Sequence, residues 1–115
     1  MTAQDRHTDH VRQMRNAARQ ISDYAAGMSK EDFLADSKTQ DAIIMKLLVI
    51  GELAAKLIDA NSNYVTDYPS VPWHQMKGMR NRMAHGYFDL DLDVVWDTIK
   101  VAIPDLEAKL SSIAK

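Results

Sequence analysis

Residues 38 to 60 carry two apolar rows side by side, one of Ile43, Leu47, Ile50, Ala54 and Leu57, the other of Ile44, Leu48, Gly51, Ala55 and Ile58. Steps of three and four residues set each row along one side of an α-helix. Two adjacent rows make an apolar face wide enough for more than one neighbour. The chain is therefore expected to fold around a helix running from about Lys38 to Ala60. Gly51 stands in its middle, where glycine costs about 1 kcal/mol relative to alanine. Its expected use is to let another helix come close.

The other segments share the helical period. Val11, Met14, Ala18, Ile21, Ala25 and Met28 form one stripe of a first helix, from about Ala3 to Gly27, with Gly27 suited to end it. Arg12, Arg15 and Arg19 line a row beside that stripe and read as a solvated face. Ser29 is expected to cap a short helical turn, and Ser37 to cap the central helix after a stop near Asp36. Asn61 to Pro69 reads as a loop, and Ser70 with Pro72 as the start of a third helix that Gly86 ends. Asp91 is the expected cap of a last helix that buries Val95, Ile99, Ala102, Leu106, Leu110 and Ile113, with Pro104 expected to kink or split it. No segment has a useful β-period and no internal repeat is visible. The fold expected is an all-α antiparallel bundle of four to five helices, a single domain over residues 1–115.

Composition narrows the function. The chain has no cysteine, which excludes disulfides and thiolate metal sites, and no apolar run near the roughly 20 residues that span a bilayer. The N-terminus lacks the apolar region of a signal peptide, so a cytoplasmic location is expected. A net charge of −2 argues against a general nucleic-acid coating protein, while leaving room for a local phosphate site. There is no glycine-rich phosphate loop, no serine nucleophile elbow and no acidic pair placed for two-metal chemistry. His7 and His10 lack a third ligand at matching spacing and read as surface histidines. Trp73 and Trp96 read as core.

The local anomaly is the window from Val71 to Phe88, which has no Asp or Glu but contains His74, Lys77, Arg80, Arg82 and His85. Trp73, Met76 and Met83 recur there at helical spacing, and Arg80 falls in their stripe. A guanidinium in a core-facing row is costly unless it is paired or hydrated. Glu52, beside Gly51, is either a polar-edge residue or the acid that reaches it. The neighbouring face, His74, Gly78, Asn81 and His85, is small and polar. Lys77, Arg82 and His74 are candidates for contact with an RNA backbone.

Arg80 and His85 together have a definite chemistry. Histidine titrates near neutral pH and can take a proton from a ribose 2′-OH. The fork-shaped guanidinium can hold a phosphate and stabilise the charge that builds as it is attacked. On a straight helix, however, residues five apart point about 140° away from each other. Two copies related by a twofold axis could gather both pairs in one cleft, with the wide face of the central helix as surface for the dimer. The alternative from the same residues is a plain dimerisation domain, with Arg80 paired to an acid such as Glu52 and closed to solvent.

The run Arg80-Asn81-Arg82-Met83-Ala84-His85 resembles the Arg-x4-His motif of HEPN domains, in which a polar residue usually follows the arginine. Extended through Gly86 to Tyr87, it is similar to the HepT branch. Ile50-Gly51-Glu52, Trp73 and Val95-Trp96 carry the likeness across most of the chain. That resemblance implies a HEPN fold and a homodimer, open to higher assembly with an antitoxin. It further implies a metal-independent endoribonuclease toxin without cofactors. Arg80 and His85 would be catalytic and Asn81 would support them. The partner implied is an MntA-like minimal nucleotidyltransferase antitoxin, which would adenylylate Tyr87. A non-catalytic helical adaptor that binds the nucleotidyltransferase or nucleotide is the alternative.

Overall fold

A computed structural model of the chain describes residues 2–86 and 89–113. The elements in order are α1 (Ala3–Ala25), α2 (Lys30–Leu34), α3 (Ser37–Asp59), α4 (Asn63–Asp67), α5 (Trp73–His85), α6 (Leu92–Asp97), a π-helical turn (Thr98–Ala102) and α7 (Ile103–Ile113). Among the described residues there is no strand, and no helix is long and apolar enough to cross a membrane.

Helix α3 is the centre of the bundle, packed on α1 along one side and α5 along the other. Ile43, Leu47, Ile50, Ala54 and Leu57 are fully buried, as are Phe33 from α2 and Val11, Met14 and Ile21 from α1. The wide apolar face of α3 is thus covered within the protomer. Of the second row, Ile44, Gly51 and Ala55 are buried, and Leu48 and Ile58 are half-buried. The exposed large apolar side chains include Met45 on α3 itself, Val94 on α6 and Val101 in the π-helical turn.

Local chemistry fixes the helix ends. Thr2 and Asp5 form a reciprocal capping box at the start of α1, and Ser29 and Asp32 form a second one at α2, as expected for Ser29. Gly27, at φ +76°, turns the chain between them. At α3 the cap is Asp36 rather than Ser37. Its carboxylate accepts from the backbone N–H of Thr39 at 3.0 Å and from the Thr39 hydroxyl at 2.7 Å. A carboxylate there also meets the positive end of the helix dipole, and Ser37 becomes the first helical residue.

Three further details differ from expectation. The segment read as a loop contains α4, whose cap is the buried Ser62. Five residues are too few for an apolar period to show. A hydrogen bond of 2.7 Å between the hydroxyls of Thr8 and Tyr64 ties this short helix to α1. Helix α5 starts at Trp73 with Pro72 in the cap position, while the Ser70 carbonyl accepts from Lys109 Nζ at 3.1 Å. Pro104 does divide the last helix into α6 and α7, as expected, but through a π-helical turn rather than a stop. Having no N–H, it cannot bond the carbonyl four residues back, and the turn before it widens so that Ile103 N–H donates to the Thr98 carbonyl. The extra residue in that turn leaves Val101 and Ala102 exposed and returns Ile103, Leu106 and Leu110 to the core.

Candidate active site

Helix α5 buries Trp73, Met76 and Met83 against the bundle, and Arg80 lies in the same stripe. Its stem passes directly over Gly51. A Cβ at Gly51 would lie 2.4 Å from the Arg80 Cβ and 2.8 Å from the Met76 carbonyl oxygen. Glycine is needed here for space, because α3 and α5 touch backbone to side chain.

Beyond that crossing the guanidinium emerges into a polar setting. Arg80 Nη1 donates to Glu52 Oε2 at 2.6 Å. Its Nε and Nη2 donate to Asn81 Oδ1 at 3.0 and 2.7 Å. Among the described residues, three of the five guanidinium N–H groups are occupied and two are not. The pair is open to water: 25% of the Arg80 side chain and 52% of the Glu52 side chain remain exposed. Glu52 is thus the acid that reaches Arg80, and within one protomer their contact is open to solvent.

Asn81 and His85 are four apart on α5 and share a face. By drawing the guanidinium onto Asn81, the protein swings it out of the core stripe toward the side on which His85 projects. This closes part of the 140° gap, or about that, which an unbent pair would leave. His85 is exposed in the last turn of α5, where it and Arg82 complement the negative end of the helix dipole.

The other basic candidates are distributed around this face. His74 is exposed one turn before Gly78. The Arg82 side chain runs back over Gly78, its Nη1 lying 3.6 Å from where a Cβ on that glycine would be. Arg82 also borders an apolar groove of about 370 Å³ between α3, α5 and α6, walled by Leu47, Met79, Met83, Val94 and Val95. Lys77 is drawn the other way, toward the end of α3, pairing with Asp59 at 3.2 Å. Tyr87 lies outside the described residues.

The two tryptophans and Arg19 behave as read, whereas His10 is more enclosed than a surface histidine. Trp73 donates from Nε1 to the Tyr68 carbonyl at 3.0 Å, and Trp96 packs on Phe33 with ring centroids 5.4 Å apart. Arg19 pairs with Glu107 at 3.3 Å across α1 and α7. No group of three or more His, Cys, Asp or Glu suited to a metal occurs among the described residues, so His7 and His10 gain no third ligand there. His10 instead sits against α3, with Nδ1 enclosed and without a hydrogen-bond partner among the described residues. Its pKa is lowered by burial first and by the charge of Lys56 second.

Two features of the site were not read from the sequence: the use of Gly51 as a seat for Arg80 itself, and the clasp of Arg80 by its own neighbour Asn81. The first had a signal, since an isolated glycine in an apolar helix opposite an out-of-place arginine is a size-matched pair. The second had none beyond adjacency.

Comparison with known proteins places the chain. The family model described as ribonuclease HepT-like matches residues 14–113. A protein of Thermococcus cleftensis named as a probable ribonuclease HepT is 37% identical over 95% of this chain and 96% of its own length. A protein of Methanocaldococcus jannaschii provisionally named as an RNase is 34% identical over 83% of this chain and 76% of its own. Another so named, from Caldanaerobacter subterraneus, is 33% identical over 76% and 75%. No solved structure gives a significant match. Because the matched span runs from within α1 to the end of α7 and takes in Gly51, Glu52 and the whole Arg80–His85 segment, the chain belongs to the HepT-like ribonuclease family.

Proposed function

We propose that this protein is an endoribonuclease in which Arg80 and His85 carry the chemistry. The observation that supports it most is the partly exposed guanidinium of Arg80, clasped by Asn81, which shares a helix face with His85, and with two N–H groups unoccupied among the described residues. In the reaction His85 takes the proton of a ribose 2′-OH. The 2′-oxygen attacks the adjacent phosphorus, and the bond from phosphorus to the 5′-oxygen breaks. A second His85, from the other copy of a homodimer, gives a proton to that leaving oxygen. The products are a 2′,3′-cyclic phosphate and a 5′-hydroxyl. Arg80 binds the phosphate and stabilises the charge that develops on its oxygens, and the scheme uses no metal ion. Asn81 orients Arg80, while His74, Lys77 and Arg82 supply backbone affinity.

The names of the relatives support the same activity, and the likeness of Arg80-x4-His85-x-Tyr87 supports a particular setting for it. The protein acts in the cytoplasm as the toxin of a toxin–antitoxin pair. An MntA-like minimal nucleotidyltransferase, its antitoxin, transfers AMP to Tyr87. The added bulk and negative charge would obstruct the phosphate path and compete for Arg80.

The deciding experiment is cleavage of total RNA in EDTA by the dimer, with intact mass showing Tyr87 unmodified and His85→Ala purified alongside. Loss of about 10³-fold or more in the variant, with its melting temperature and oligomeric state kept, is the expected result. Equal cleavage by both would assign the activity to a contaminant. A second reading, a non-catalytic adaptor for the nucleotidyltransferase, draws on the neutralisation of Arg80 by Glu52. It predicts intact RNA with either protein.

A further inference from the structure

We infer that Glu52 is a built-in competitor for substrate, an internal anion that holds Arg80 in the free protein and is exchanged for the RNA phosphate on binding. This rests on the reading of Arg80 as the phosphate-binding group.

The geometry separates two kinds of support for Arg80. Gly51 fixes the stem, and Asn81 fixes the Nε and Nη2 edge through a neutral oxygen that does not oppose an incoming anion. Glu52 differs from both. Its oxygen lies 2.6 Å from Nη1, the distance and direction a phosphate oxygen would take. It carries a full negative charge in the place where the substrate must bring another.

A group meant only to brace the arginine would be expected to sit in the core. Glu52 is instead more than half exposed, on the outer side of α3, with solvent to receive its carboxylate once it lets go. Exposed ion pairs hold weakly and exchange readily, so the cost of release is small. With Glu52 bound, Arg80 presents no net charge to small anions, while a polyanion with several phosphates can displace the carboxylate by engaging His74 and Arg82 as well. The consequence is selection for a strand over mononucleotides or free phosphate.

Glu52→Gln keeps an oxygen to accept from Nη1 and removes the charge. The measurement is the affinity of the parent and this variant for a single-stranded RNA oligonucleotide carrying 2′-O-methyl at every ribose, by fluorescence anisotropy over a range of salt. Glu52→Gln should bind about five- to tenfold more tightly, with the slope of log affinity against log salt steeper by about 0.7, since one more phosphate is neutralised. On cleavable RNA the change should fall in KM rather than kcat. Equal affinity, weaker affinity, or no binding by either protein overturns the inference. So does a fall in kcat at constant KM, which marks Glu52 as a brace. The two readings fail separately: a parent that binds the oligonucleotide without cutting natural RNA sinks the ribonuclease and leaves the exchange to be judged on affinity.

Discussion

Arg80 is clasped by the residue that follows it: the side-chain oxygen of Asn81 accepts from both Nε and Nη2, at 3.0 and 2.7 Å. Adjacent residues on a helix point about 100° apart, so such a clasp forms only when the long side chain bends round the helix. Glu52 reaches the same guanidinium from α3, so side chains of two elements meet on it.

Replacing Asn81 by Ala should therefore separate orientation from stability. The side chain is exposed, so the melting temperature should move little, within about 0.5 kcal/mol of the parent. RNA cleavage should fall on the order of 10- to 100-fold, the usual result of loosening a positioned group. Full activity in Asn81→Ala would show that the seat on Gly51 suffices to aim Arg80.

Gly51→Ala tests the seat. The added methyl would lie 2.8 Å from the Met76 carbonyl, and backbone cannot step aside as a side-chain tip can. A loss of about 1–3 kcal/mol in urea denaturation is expected, together with lost cleavage as Arg80 moves. A variant as stable as the parent would mean that α3 and α5 part more easily than their packing implies.

The enclosed His10 predicts a pH effect far from the site. Its pKa in the folded protein is below the ordinary value of 6.5, so between the two values the unfolded chain binds more protons. Stability should then be full above about pH 6.5 and fall as the pH drops through this window. Around it stand Arg6, His7 and Asp9 from α1 and Lys56 from α3, of which only Asp9 opposes the shift. His10→Gln should flatten the melting temperature between pH 7.5 and 5.5. An unchanged slope would assign the effect to another group.

Asp36 should act lower on the pH scale. Hydrogen bonds from the Thr39 side chain and backbone hold its carboxylate below the ordinary 3.8. Its contribution is present above that value and lost as the pH falls through the lowered one. Asp36→Asn keeps the cap without the titration, so acid unfolding followed by circular dichroism should lose part of its dependence below about pH 4.

The helices and the central place of α3 were legible because twenty-residue apolar stripes average over local detail. Burial of a whole face leaves a periodic trace in the sequence. Ends and short elements were less so. Asp36 and Ser37 are both good caps and adjacent, and only the Thr39 contacts decide between them. The motif residues were legible as chemistry, yet their arrangement was not. Whether Arg80 points at Glu52, at His85 or into the core depends on how closely α3 and α5 approach, a property of Gly51 that no spacing along α5 expresses. Sequence likewise shows how wide the apolar face of α3 is, not how much of it the helices of one chain cover.

The widened turn ahead of Pro104 has a mechanical consequence. It changes the phase of one continuous rod partway along, so that the first part meets α2 through Trp96 and the second meets α1 through Leu106 and Leu110. A uniform helix of the same length would keep a single heading and would drift off one of these supports. The offset lets the rod act as a splint between the two ends of the bundle, so that α3, and α5 packed on it, belong to a frame braced at both ends.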